Sequence, residues 1–250
     1  MTNARIERRS RPAVALVVGL LLNLATLARL PAQRPERTDS TNPSPLVGVK
    51  EAAGGAVLLA GAFLLDGSVR TELQADRSPA GNRLARVGNA FGNGLYVLPP
   101  IAAAYLVGRL VHQPRVTRAA LRAGAAFVLS GAATGILKVA IGRARPSQRG
   151  DAGIYRPFSG FDSFPSGHVT VAVATAVTLA AETDRWWLKV LLYSGAGLTG
   201  YARMNDDKHW LSDVVAGAAV GIVVGRLVSR RRKPARLIVT PGGLGLRFAL

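Results

Sequence analysis

The sequence predicts an all-α fold: a polytopic membrane helix bundle of about six transmembrane helices. Three observations lead there. The 250 residues are 49% hydrophobic, with a mean hydropathy of +0.23. Several apolar runs approach the roughly 17–25 residues that a bilayer-crossing helix needs. Glycines recur at four-residue spacing within these runs, as at Gly217, Gly221 and Gly225 and at Gly131 and Gly135, which suits helices that must approach closely in lipid. The balance of 32 basic against 14 acidic residues gives a net charge of +18. A chain this basic usually meets nucleic acid or an anionic membrane surface. The hydropathy favours membrane lipids as partners, and no nucleic-acid recognition module is present. The absence of cysteine excludes a disulfide scaffold, a Cys-ligated metal site and a cysteine nucleophile.

The segments follow in order. Residues 1–45 are read as an N-terminal signal anchor or signal peptide followed by a Pro-rich linker. Arg5, Arg8, Arg9 and Arg11 precede the apolar stretch Pro12–Leu30. That stretch is longer than most signal-peptide cores, so an uncleaved anchor is preferred. Residues 46–90 hold a short apolar segment, Ala52–Leu65, and an amphipathic connector. Lys50, Glu51 and Asp66 bound that segment, and it is expected not to span. The remaining spans are Val87–Gly108, Ala119–Ile141, Ser163–Ala181, Trp186–Tyr201 and Trp210–Val228, with basic residues near their ends free to snorkel. Residues 91–228 form the helix bundle that carries the motifs below. Residues 229–250 are a basic tail, in which Arg230, Arg231, Arg232 and Lys233 read as an anchor to anionic lipid and Pro241-Gly242-Gly243 as a β-like turn.

Three short segments combine residue types that handle phosphate. In the first, Lys138 and Arg145-Pro146 lie seven residues apart at the end of a predicted helix. Two helical turns would bring the two cations to one face. The second, Ser163-Phe164-Pro165-Ser166-Gly167-His168, starts the next span. A helix N-terminus with a serine cap and a glycine presents N–H groups and a positive dipole end to an anion, and His168 adds an acid or base. In the third, Arg203 precedes His209, and Asp213 follows four residues later. A carboxylate at that spacing can orient one imidazole nitrogen and leave the other nucleophilic. Taken singly, each also admits a plain structural account: a snorkelling lysine, a helix cap, an incidental surface pair. The third histidine, His112, is read as interfacial. Tyr155, Phe158 and Phe161 read as interfacial anchors or the lining of a substrate entrance, Asp206 and Asp207 as solvated loop charges, and Arg143 and Arg149 as cations that draw in anionic headgroups.

Together and in this order, Lys-x6-Arg-Pro, Pro-Ser-Gly-His and Arg-x5-His-x3-Asp resemble the tripartite signature of the type 2 phosphatidic acid phosphatase (PAP2) family, in its membrane-embedded lipid phosphatase branch. The resemblance covers roughly Phe91 to Val228. It departs at Ala202, where the family usually has serine. It implies a phosphatase that needs neither metal nor cofactor and works through a phosphohistidine. His209 would be the nucleophile, Asp213 its orienting acid, and His168 the proton donor and acceptor. Lys138, Arg145, Ser166, Gly167 and Arg203 would hold the phosphate. The implied substrate is a lipid phosphate or a polyprenyl diphosphate. The same motif set also resembles periplasmic acid phosphatases of broad specificity and vanadate-dependent haloperoxidases, which the many apolar spans disfavour. A non-catalytic lipid-binding or transport protein on the same scaffold is a further alternative. Antiparallel neighbouring spans put all the motifs at one membrane face. With six spans and cytoplasmic basic termini, that face is the periplasmic or exterior side of the inner membrane.

Overall fold

The computed structural model describes residues 45–230 and the strands 236–240 and 243–247. The expected anchor Pro12–Leu30, the linker up to residue 44 and the cluster Arg231–Lys233 lie outside the described residues. Eight helices follow one another: α1 (Val49–Ala75), α2 (Pro79–Gly92), α3 (Gly94–Leu110), α4 (Pro114–Ile141), the single turn α5 (Pro146–Arg149), α6 (Gly167–Ala181), α7 (Trp186–Asn205) and α8 (Leu211–Ser229). The tail adds an antiparallel pair, β1 (Arg236–Thr240) and β2 (Gly243–Arg247), with Thr240 opposite Gly243; Pro241 and Gly242 of the expected turn lie outside the described residues.

α1, α4 and α8, of 27, 28 and 19 residues, are each long and apolar enough to cross a membrane. Large apolar side chains stand exposed along them, including Leu64, Val128 and Ile136. A surface of that kind is stable against lipid and a liability in water. The chain is an integral membrane protein.

Two expectations need correction. Ala52–Leu65, expected not to span, lies inside α1. The helix runs on through Asp66 because that carboxylate is buried and fully hydrogen-bonded, and so does not mark an exposed end. The single run Val87–Gly108 is divided into α2 and α3, bent by 50°. At the break Asn93 turns extended, and its Oδ1 accepts the Leu95 N–H at 3.0 Å to start α3. Such local capping wins over hydropathy where a side chain can satisfy the freed amide.

α6 is the central helix. Ten of its 15 residues are buried, so a helix shorter than the bilayer can sit here, shielded by its neighbours. α8 packs on it through the glycine stripe. A Cβ on Gly217, Gly221 or Gly225 would come within 2.7 Å of Ser166 O, Thr170 O or Val177 Cβ respectively. Gly131 and Gly135, expected to do the same on α4, face open space.

Ion pairs mark two poles. At one, Arg118 and Arg122 at the start of α4 meet Glu182 at the end of α6, and Glu51 at the start of α1 meets Arg226 at the end of α8. At the other, Arg70 near the end of α1 meets Asp207 after α7 through two bonds of 2.7 and 2.8 Å. α1, α4 and α7 run toward the second pole; α3, α6 and α8 run away from it. α2 packs across it, with Thr199 Oγ1 of α7 donating to Gly88 O at 2.8 Å.

Candidate active site

All three motif segments lie at the second pole. α4 ends at Ile141, and Gly142 (φ 59°) caps it in the left-handed region. Glycine is required there, because a Cβ would fall 1.9 Å from Arg156 O. Lys138 and Arg145 therefore do not share a helix face, as the spacing suggested. They converge through the loop instead: Lys138 Nζ donates to Asp162 O, and Arg145 Nη2 donates to Asp162 Oδ2 at 2.6 Å.

Ser166 precedes α6, but its side chain makes no capping bond. Its Oγ is buried without a partner. Ser166 N–H donates to Asp213 O at 3.0 Å, which ties the start of α6 to the start of α8. A Cβ on Gly167 would lie 3.6 Å from Lys138 Cε, so the first and second segments touch. His168, in the first turn, is within electrostatic range of Arg203, His209, Lys138 and Arg145.

In the third segment, α7 ends at Asn205 and the chain folds back so that His209 N–H donates to Arg203 O at 3.3 Å. Arg203 Nη1 donates to Asn89 Oδ1 of α2 at 2.9 Å, and Asn89 Nδ2 donates to Asp206 Oδ2 at 2.8 Å. His209 lies just before α8. Its Nδ1 is 3.5 Å from Asp213 Oδ2, which is an electrostatic contact outside hydrogen-bonding geometry. Burial pushes His209 down to about 4, with the nearby Lys138 and Arg203 acting the same way and Asp213 opposing them. The ring is neutral at pH 7 and keeps a lone pair. Ala202 is fully buried in α7.

Asp213 is bound on every side. Its carboxylate accepts Ser163 Oγ–H at 2.5 Å, Trp210 N–H at 2.9 Å and Arg143 Nη1–H at 2.7 Å. Arg143, expected to draw headgroups inward, is 1% exposed and cannot. Its five N–H directions are used on Asp66, Asp213, Ser212 and Ala152 O, and the rings of Phe63, Tyr155 and Trp210 lie 5.3–5.5 Å from its guanidinium. Asp66 in turn accepts from Ser212 N and Ser212 Oγ. Asn89 and Ser212 were not singled out from the sequence, Asp66 was read only as bounding an apolar run, and Ser163 only as the first residue of the second segment. For Asp66 a signal existed: an ionisable residue interrupting an apolar run is by default functional. Asp206 and Asp207 are partnered rather than freely solvated. Phe158 is exposed, and His112 lies beyond α3 at the opposite pole.

His209 Nδ1, which faces Asp213, makes no hydrogen bond, and three further motif atoms stay buried without a partner: Arg145 Nε, Arg203 Nε and Ser166 Oγ. Buried polar atoms are seldom left unpaired, and a cluster of them marks a place where a ligand completes the bonding. The donors are cationic or neutral, so the ligand that fits is an anion. Among the described residues, no group of three or more His, Cys, Asp or Glu side chains is placed to hold a metal ion.

Comparison with known proteins agrees with the motif reading. The chain is 41% identical over 99 residues to a lipid A 1-phosphatase of Rhizobium etli, covering 38% of this chain and 42% of that protein. It is 37% identical over 60 residues to an undecaprenyl-diphosphatase of Sulfolobus acidocaldarius, covering 24% of this chain and 28% of that one. The chain thus matches less than half the length of these curated relatives. Among solved structures, LpxE of Aquifex aeolicus aligns at 23% identity with a TM-score of 0.49, over 66% of this chain and 94% of that one. Residues 119–236, which hold all three motifs, match the model of the PAP2 superfamily.

Proposed function

We propose that this protein hydrolyses a lipid phosphate or diphosphate monoester through a phosphohistidine on His209, without a metal. The observation that carries the reading is the set of buried, unpartnered donors on Arg145, Arg203 and Ser166 beside a neutral, buried imidazole. Phosphoryl transfer needs positioning and charge stabilisation above all. Lys138, Arg145, Arg203 and the amides at the start of α6 supply both.

With Nδ1 turned toward Asp213, His209 Nε2 attacks phosphorus. The N–P bond forms as the P–O bond to the lipid breaks, and His168 protonates the leaving oxygen. The negative charge at Asp213 offsets the positive charge that develops on the ring. His168 then removes a proton from a water molecule whose oxygen attacks phosphorus, the N–P bond breaks, and phosphate leaves. Two facts support a lipid substrate: the site caps a bundle of lipid-exposed helices, and the relatives' names specify a lipid A phosphate and an undecaprenyl diphosphate. An outward-facing site in the inner membrane is part of this reading: α1 begins and α8 ends at the other pole, where the basic tail that follows α8 is expected on the cytoplasmic face.

The test is a panel of phosphatidate, phosphatidylglycerol phosphate, lipid A and polyprenyl diphosphate offered to the detergent-purified protein in EDTA. Phosphate release from at least one lipid, lost in His209→Ala, is expected. Full activity in that variant, or loss in EDTA restored by zinc, overturns the proposal.

A further inference from the structure

We infer that Asp66 is a positioning residue for the reaction: by neutralising Arg143 it preserves a net negative charge behind His209. This rests on the reading of His209 as nucleophile. The argument begins with a conflict at Asp213. A carboxylate that must offset positive charge developing on His209 is also paired, at 2.7 Å, with the guanidinium of Arg143. Were that pair alone, the two charges would cancel and the imidazole would face a neutral couple. The arginine is fixed in place, 1% exposed, with its N–H groups used and three aromatic rings around it.

Asp66 changes the balance. Its Oδ2 lies 2.7 Å from Arg143 Nη2, so two carboxylates share one guanidinium and one negative charge remains. Ser212 locks the geometry: its N–H and Oγ–H both donate to Asp66, and its Oγ accepts from Arg143. Asp66 and His209 also line one small cavity behind the ring, together with Arg70 and Trp210. A buried carboxylate in an apolar helix is costly unless it is paired, and this one lies on α1, outside the segment that matches the family model.

The groups around His209 are Asp213 on α8, Lys138 on α4, Arg203 on α7, His168 on α6, and Asp66 and Arg70 on α1; Arg143, after α4, stands behind Asp213 as its ion-pair partner. Arg70 is paired with Asp207, Lys138 lies near Asp162 and Arg203 near Asp206, so removing the charge of Asp66 changes the balance at Arg143, which is left with Asp213 alone.

The test follows the titration of His209 directly, by NMR of protein carrying labelled histidine in detergent micelles. The chain has only three histidines, and His209→Gln assigns the signal. Asp66→Asn is expected to move the midpoint of His209 down by about one pH unit. The same variant is expected to lower kcat about tenfold with KM within about twofold. Asp66→Asn combined with Arg143→Gln removes both charges, and is expected to return the midpoint close to that of the unaltered protein and to recover part of kcat. A midpoint unmoved in Asp66→Asn, or not restored in the double variant, overturns the proposal. If Asp66→Asn does not fold, Asp66→Glu decides: a midpoint and a kcat both close to those of the unaltered protein support the proposal, and any other result overturns it. Because the titration needs no substrate, it stands apart from the phosphatase reading, which is overturned instead by the outcomes named for the lipid panel.

Discussion

At the scale of single residues, the role proposed for His209 sets an expected dependence of activity on pH. An ordinary histidine is protonated below about 6.5, whereas burial holds this one down to about 4. Between those values the folded enzyme keeps a lone pair that a solvated histidine would lose. The acidic limb of kcat/KM is therefore expected well below pH 6.5, and a limb at 6.5 would show that another group controls the nucleophile. The sign for stability follows from the same numbers. In that window the unfolded chain binds a proton that the folded chain does not, so stability falls as pH drops from 6.5 toward 4. His209→Gln should flatten that slope in detergent melts followed by tryptophan fluorescence. Substitution should also separate the three histidines: His209→Ala abolishes turnover, His168→Ala lowers it by about 10²–10⁴-fold, and His112→Ala, at the far pole, leaves it unchanged. That the three motif segments meet at one pole was legible in the sequence, because each is written in local spacing at the end of a predicted helix. Asp66, Arg143 and Asn89 were not, because their roles depend on partners 77, 70 and 114 positions away.

At the scale of elements, run length located the helices and local capping set their ends. Hydropathy alone placed α4 and α8 close to their observed limits. It could not see the break at Asn93, which depends on one side-chain bond, nor the continuation of α1 through Asp66, which depends on a buried ion pair. Glycine spacing had the same limit, since the pattern identifies a helix face that could pack and not whether a neighbour lies there. The two stripes now make opposite predictions. Gly221→Leu drives a side chain into Thr170 O and Val173 and should cost about 1–3 kcal/mol or more. Gly131→Leu projects into open space and should change stability by no more than about 1 kcal/mol, since leucine is the better helix former. Thermal unfolding of the two variants in the same detergent measures the difference. Equal losses would mean that α6 and α8 are not packed as described.

At the scale of the whole molecule, the two poles carry the argument about sidedness. α1 begins where α8 ends, joined by Glu51 and Arg226 at 2.6 Å, so the described bundle starts and finishes on one face and holds its site at the other. The expectation that Pro12–Leu30 is the first crossing and Ala52–Leu65 none therefore changes. α1 supplies the first crossing of the described bundle, and a further span before it would carry the N-terminus to the face of the site. The chain has no cysteine, so single thiols can report on each face without background. Ser159→Cys lies in the exposed loop between α5 and α6 at the site pole, and Asp184→Cys lies in the exposed turn between α6 and α7 at the other. An impermeant maleimide applied to intact cells, with the outer barrier opened, should modify the first thiol. It should reach the second only after the inner membrane is permeabilised. The reverse pattern would leave the bundle intact and overturn the outward orientation, whereas equal labelling of both from one side would overturn the two-pole arrangement itself. The distinction matters for chemistry: a site built at one end of the helices, with its cations already facing an aqueous surface, receives the phosphate of a lipid whose tail stays in the bilayer. No part of the substrate then has to carry its charge across the apolar core.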